Sequence, residues 1–326
     1  MAVREDAVNG WRALVLEGEG LRVTVLPDKG ADIYSFVDLE LELDVLFKTP
    51  WGLQPPGSEP RQGSGELEFL HNYEGGWQEL FPSVNGPCAY RGEPIPFHGE
   101  VATLQWDAEE ADGGLRCTVA CRRTPFRLER TMSLAGPALV LEERVVNDGE
   151  DPAHFVWGHH CVVGPPFLQP GCRLHVPARA LVTIPELWEE TARLEPGQRS
   201  AWPNGRRRDG GTVDLRHVPG PEEESHDDVY LTDLDAGWVA VENPELERTF
   251  VLAWDAEVYP WVISWQPYGG AEAMPLAGCY ALGVEPWVSR LDLAEAMRAE
   301  EAVELAPGES LRTKLTATIE RGEWRP

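Results

Sequence analysis

Three runs between positions 115 and 146, LRCTVACRR, FRLERTMSL and ALVLEERVV, alternate apolar and polar side chains residue by residue. An extended strand puts such a run on one buried and one wet face, whereas a helix would scatter it around its axis. Thr124-Pro125 and Ala135-Gly136-Pro137 divide the runs, so the chain turns back twice as an antiparallel meander. Leu115, Cys117, Val119 and Cys121 then share one face. The same alternation returns in LRVTVLPDKGADIYSFV (21–37), around the turn Pro27-Asp28-Lys29-Gly30, and in DVYLTDL, GWVAVEN, RTFVLAW, YPWVISWQ and LRTKLTATIE. Helix is expected only as a turn at 185–190 and a short element within 291–302, and 50–66, rich in Pro, Gly and Ser, reads as a loop or flap. Turn signals spaced by about 8 to 12 residues predict an all-β protein, a large antiparallel β-sandwich. Although 326 residues exceed the average domain, β architectures reach such sizes, and 1–326 is expected to be a single domain.

Charge limits the partners. Lys and Arg number 28 against 55 Asp and Glu, a formal net charge of −27, which disfavours nucleic acid and anionic membrane surfaces. The N-terminus has no apolar segment after a basic start, and no run of about 18 apolar residues occurs, so a cytoplasmic protein without membrane contact is expected. Six cysteines lack a C-x-x-C pair or zinc-type spacing and read as small buried hydrophobes, with no metal expected. A homodimer stays open, because strands alone carry no oligomer signal.

Three stretches place titratable groups among apolar residues: VWGHHCVVG with His159 and His160, PFHGEV with His98, and GVEPW with Glu285. Imidazole exchanges protons near neutrality, and adjacent strand residues face opposite ways, so one of the two histidines should face a cleft. GGWQELFPSVNG, with Trp77 and Asn85, suits a loop lining a site, and thirteen tryptophans, Trp265 among them, offer flat apolar faces. An acidic residue at Asp227 or Asp228 could join them. No dinucleotide fingerprint, P-loop, G-x-S-x-G or H-E-x-x-H occurs, so nucleotide cofactors and common hydrolase chemistry are disfavoured. A carboxylate and imidazoles in an aromatic cleft fit a sugar, which has both polar edges and apolar faces.

The order LFPSVNG, PFHGEV, an apolar run ending in His-His before Gly164-Pro165-Pro166-Phe167, DDVYL and GVEPW is similar to the aldose 1-epimerase (galactose mutarotase-like) family over about residues 20–320. The resemblance implies that family's β-supersandwich and an isomerase acting on a small-molecule sugar without metal or cofactor. It implies His98 as a hydrogen-bonding catalytic histidine, His160 as general acid to the ring oxygen and Glu285 as general base to the anomeric hydroxyl. His160 is preferred to its neighbour His159 from its spacing to the following CVVG. Asp227 is implied as a ligand to sugar hydroxyls, with Asn85, His159, Trp77 and Trp265 as further substrate contacts. Where the family has Asn-Arg this chain has Asn85-Gly86, with Arg91 out of register, and Cys161, Val162 and Val163 replace an aromatic stretch. Another aldose or a sugar acid is therefore expected rather than galactose. A phosphorylated sugar would need Arg91 or Arg206 to Arg208 at the cleft. Two other readings compete: a non-catalytic carbohydrate-binding sandwich, and a metal-dependent cupin-like enzyme using His98, Glu100 and His159 or His160.

Overall fold

The computed structural model describes residues 3–58, 66–111, 113–322, 324 and 325. The alternating runs form two large antiparallel sheets. One has thirteen strands, led by the N-terminal strands Val3–Val8, Trp11–Glu17, Leu21–Leu26 and Asp32–Asp38. It continues through Trp77–Leu80, Gly158–Val163, Glu285–Trp287, Trp261–Tyr268 and Ser225–Leu234. The other has eight strands, and the predicted meander Gly114–Ala120, Phe126–Ala135 and Ala138–Asn147 makes up three of them, followed across the sheet by Ser310–Arg321.

Register explains the core. Leu115 pairs with Met132, Met132 with Leu141 and Leu141 with Leu315, a row across four strands in which every side chain is buried. Each such side chain contributes roughly 1.5–3 kcal/mol by leaving water. The inner faces of the two sheets meet through contacts such as Phe36 edge-on to Phe250, with ring centroids 5.5 Å apart. The all-β sandwich expected from periodicity is thus the observed fold.

Helix departs from expectation in two places. Within 50–66, residues 50–58 are irregular, 59–65 lie outside the described residues, and an unexpected helix α1, Glu66–Asn72, begins at the end of the stretch. Phe69 stacks on Tyr73 four residues on, with centroids 5.6 Å apart, a pairing that stabilises a helical turn. Residues 185–190 form no helix. Helix α2, Leu293–Arg298, falls within 291–302, and the Asp292 side chain caps it by accepting from the Glu295 N–H.

One turn is built for the site. His98 and Gly99 both have positive φ, 63° and 78°. A Cβ on Gly99 would stand 2.2 Å from the Phe81 carbonyl oxygen, so only glycine fits there. Gly99→Ala is expected to lower stability by about 1–3 kcal/mol or more, read as a lower urea midpoint at unchanged slope.

Candidate active site

The strand Gly158–Val163 lies between Trp77–Leu80 and Glu285–Trp287, with every residue buried. Alternation sends its two histidines to opposite faces. His160 shares a face with its register partner Gln78 and reaches toward Glu285, with Nε2 to Oε1 at 3.9 Å. That separation is too long for a hydrogen bond, but it lets the two groups act on adjacent atoms of one ligand. His160 Nδ1 has no partner among the described residues.

His98 comes from the turn just described. Its Nδ1 accepts from the Asn85 N–H at 3.1 Å, and its own N–H donates to the Asn85 carbonyl at 3.0 Å. This reciprocal pair places the proton of the neutral imidazole on Nε2. The His98 and His160 rings are 5.4 Å apart. Aromatic rings wall the pair: Phe69 at 4.6 Å from His98 and 5.8 Å from His160, Tyr73 at 5.1 Å and Trp265 at 6.4 Å from His160.

These walls set the protonation states. Burial pushes the Glu285 carboxyl well above its ordinary range, and the neighbouring Asp228 adds to the effect. Burial lowers His160 from 6.5 to about 4, and burial with nearby His160 lowers His98 well below its usual value. Burial thus favours the neutral form of all three groups, a proton held on Glu285 and none added to either imidazole. The pair holds the same proton count as a carboxylate with an imidazolium, so one transfer interconverts the two forms.

Stability inherits these shifts. The native state resists protonating His160, so its contribution is fully present above pH 6.5 and lost as pH falls toward about 4. Its size is on the order of 3 kcal/mol. Glu285 acts in the opposite sense, because its native proton is lost only well above the 4.5 of a free carboxyl, and its contribution declines as pH rises past that value. His160→Gln should flatten the fall in urea midpoint between pH 6.5 and 4, which the native protein should show in full.

The structure corrects three expected substrate contacts. His159 and Trp77 face the space between the sheets: Trp77 Nε1 donates to His159 Nδ1 at 3.2 Å, and His159 Nε2 lies 3.1 Å from Glu143 and 3.3 Å from the Tyr259 hydroxyl. Asp227 also faces away from Glu285. Its carboxylate accepts from the Arg193 and Leu194 N–H groups and from Arg193 Nε at 2.8, 3.1 and 2.6 Å. Its neighbour Asp228 pairs with Trp265 across the sheet, and its charge acts on Glu285 and Tyr230. Trp265 itself stands at the site, donating to His226 Nε2 at 2.6 Å.

Asn85 is at the site as well, its Nδ2 donating to the Arg290 carbonyl at 3.1 Å. Two residues the sequence reading missed join it. Tyr230 lies near Asn85 and Asp228, and the Arg290 guanidinium spans the Tyr230 and Trp261 rings at 5.8 and 5.7 Å. The alternation within DVYL could have found Asp228 and Tyr230 together, since they sit two apart. The arginines considered from sequence are engaged elsewhere: Arg91 with the Pro152 carbonyl, Arg206 with Glu195, Arg207 with Asp209 and Arg208 with Glu190.

The cupin-like ligand set is not assembled. Glu100 accepts the Arg122 and Arg123 N–H groups at 3.0 and 3.1 Å, and His159 lies across the sheet from His98. Ligand atoms of Glu79, Glu143 and His159 do come within 4.8 Å of one another. The Arg130 guanidinium stands among them, bonding Glu143 at 2.9 Å, Glu79, and the Ala31 carbonyl at 3.0 Å. A cation is thus already supplied by the chain.

Residues 9–319 match the family model described as Domain of unknown function (DUF4432). The chain belongs to the DUF4432 family. No curated protein matches this DUF4432 chain. Among solved structures, it resembles a candidate aldose 1-epimerase from Klebsiella pneumoniae subsp. pneumoniae MGH 78578, at 16% identity and TM-score 0.72, over 98% of this chain and 83% of that one. The Slr1438 protein from Synechocystis sp. PCC 6803 matches at 17% identity and TM-score 0.69, over 97% and 99%. A galactose mutarotase-like protein from Clostridium acetobutylicum matches at 16% identity and TM-score 0.65, over 98% of both chains. Likeness at such identity concerns the fold, and it gives this DUF4432 protein the galactose mutarotase-like β-sandwich. Among the described residues no helix is long and apolar enough to cross a membrane.

Proposed function

We propose that the protein is an aldose 1-epimerase-like isomerase that interconverts the α and β anomers of a free aldose or a related sugar. The observation that carries this reading is the approach of His160 to Glu285 at 3.9 Å beside His98, inside an aromatic wall. Binding moves one proton from Glu285 to His160, as sugar hydroxyls replace the missing solvation of both charges. Glu285 then takes the proton from O1 while His160 gives its proton to O5, and the C1–O5 bond opens to the aldehyde. Rotation about C1–C2 presents the other carbonyl face, and the same two groups run the step backwards. No net proton leaves the pair in a full cycle. His98, with its proton on Nε2, acts as a hydrogen-bond donor to the sugar. Asp228, Asn85 and Tyr230 are the groups available to sugar hydroxyls. Arg290 extends the reading toward sugar acids.

Magnetisation-exchange NMR between the anomers of a panel of aldoses, deoxy sugars and sugar acids tests this. Acceleration for one sugar, lost in Glu285→Gln and in His160→Gln, is the expected result. Tight binding of a sugar with no acceleration for any would instead leave a carbohydrate-binding protein without catalysis.

A further inference from the structure

A cavity opens on the same sheet face one strand from His160, whose register partner Gln78 lines it. Its volume is about 430 Å3, within the range of small-molecule sites. Neither His160 nor Glu285 lines it. Phe69 and Tyr73, which pack on His160, line the cavity too.

The walls are flat and held in place. Trp11 and Trp51 anchor their indole N–H groups on the carbonyls of Gln54 and Tyr73, at 2.6 and 2.9 Å, and present their rings, with Phe97 beside them. The floor is polar and incompletely satisfied. Gln78, only 2% exposed, donates to the Gly75 carbonyl at 2.7 Å and to Asp32 at 3.3 Å, yet its Oε1 has no partner. The Tyr73 hydroxyl is as deeply buried and also lacks one. An unmet buried polar atom costs about 1–3 kcal/mol, so the Gln78 Oε1 at this cavity marks a place where a ligand supplies the missing bond.

Charge at the floor selects the ligand class. Lys29 pairs with Asp32 at 3.1 Å and with Glu74. Burial, reinforced by Glu74, pushes Asp32 up to about 8 despite the opposing pull of Lys29. The buried Lys29 ammonium is thus matched by these two acidic side chains rather than left as a bare charge. Of the three only Lys29 lines the cavity, and it is already paired; Arg123, also in the lining, lies 3.6 Å from the Glu100 carboxylate. A neutral molecule with hydroxyl edges and a flat apolar face satisfies both floor and walls.

We propose that this cavity is a second carbohydrate subsite, taking a neutral sugar ring against Trp51 with its hydroxyls on Gln78. The subsite does not need the catalytic reading. Methyl glycosides of glucose and galactose test it independently, because a sugar locked at C1 cannot open its ring. Protein labelled with 5-fluorotryptophan would be titrated with each glycoside, the Trp51 resonance being assigned from Trp51→Phe. The expected result is a saturable shift of the Trp51 resonance, the same within twofold in Glu285→Gln and weakened at least tenfold in Gln78→Leu. Gln78→Glu, isosteric but charged, serves should the leucine variant fail to fold, and is expected to weaken binding likewise. The proposal is overturned if neither glycoside shifts Trp51, or if binding survives both Gln78 substitutions and is abolished in Glu285→Gln.

Discussion

Glu285→Gln is expected to slow anomer interconversion by about 10²–10⁴-fold, the range lost when a positioned acid or base is removed. The amide keeps the shape of the side chain but can neither give up nor take up the proton that the proposed exchange requires. Folding should not suffer. Burial and Asp228 make the native state hold the Glu285 proton to higher pH than the unfolded chain, which releases it near 4.5. Folding must therefore take up a proton at rising cost with pH, and glutamine removes that cost. The variant should match or exceed the native protein in urea midpoint at pH 7 and lose the advantage toward pH 4.5. A buried glutamic acid with a merely structural role would show the stability pattern without the kinetic loss. Anomer exchange and denaturation, measured on the same samples, separate the two.

Arg130→Met should cost about 3–5 kcal/mol of stability, the loss seen when one partner of a buried ion network is removed. Arg130 is 2% exposed and serves Glu143 on the neighbouring strand, Glu79 on the facing sheet and the Ala31 carbonyl. Methionine fills the volume but leaves two buried carboxylates facing each other. Burial works against the Glu143 charge, and His159 with Arg130 holds its carboxyl below the ordinary range. With the guanidinium gone, Glu143 should take up a proton more readily, so the destabilisation should shrink as pH falls. Adding Glu143→Gln to Arg130→Met should recover part of the loss, and a coupling well above the error of urea unfolding would identify the network as one unit. Both single substitutions lie across the sheet from His160, so residual folded protein should retain whatever anomer exchange the native protein shows.

These two residues also show how far a sequence can be read. Glu285 is visible because a lone carboxylate within GVEPW has no solvated face to occupy. Arg130, within FRLERTMSL, sits in a run whose even positions, Leu128 and Met132, are apolar and buried, and its own inward direction follows from that alternation. Its partners do not follow, because Glu79 and Glu143 lie on other strands, Glu79 in the facing sheet, and sheet pairing is not written in local periodicity. Asp227 and Asp228 illustrate the same boundary. Period two states that they face opposite ways, but which one faces Glu285 depends on the register of Ser225–Leu234 against Trp261–Tyr268.

Local pattern by itself determined the strands, the antiparallel meander, the class of fold and the opposition of His159 to His160. All of these depend on bonds and alternations within a few residues. Tertiary structure alone decided that His160, Glu285 and His98 share one space, that His159 and Trp77 belong to a buried ionic network, and that Arg290 reaches the site. Those outcomes depend on which strands become neighbours and which sheet face meets its partner. Burial, which favours a proton on Glu285 and disfavours one on His160, exists only once both sheets have closed.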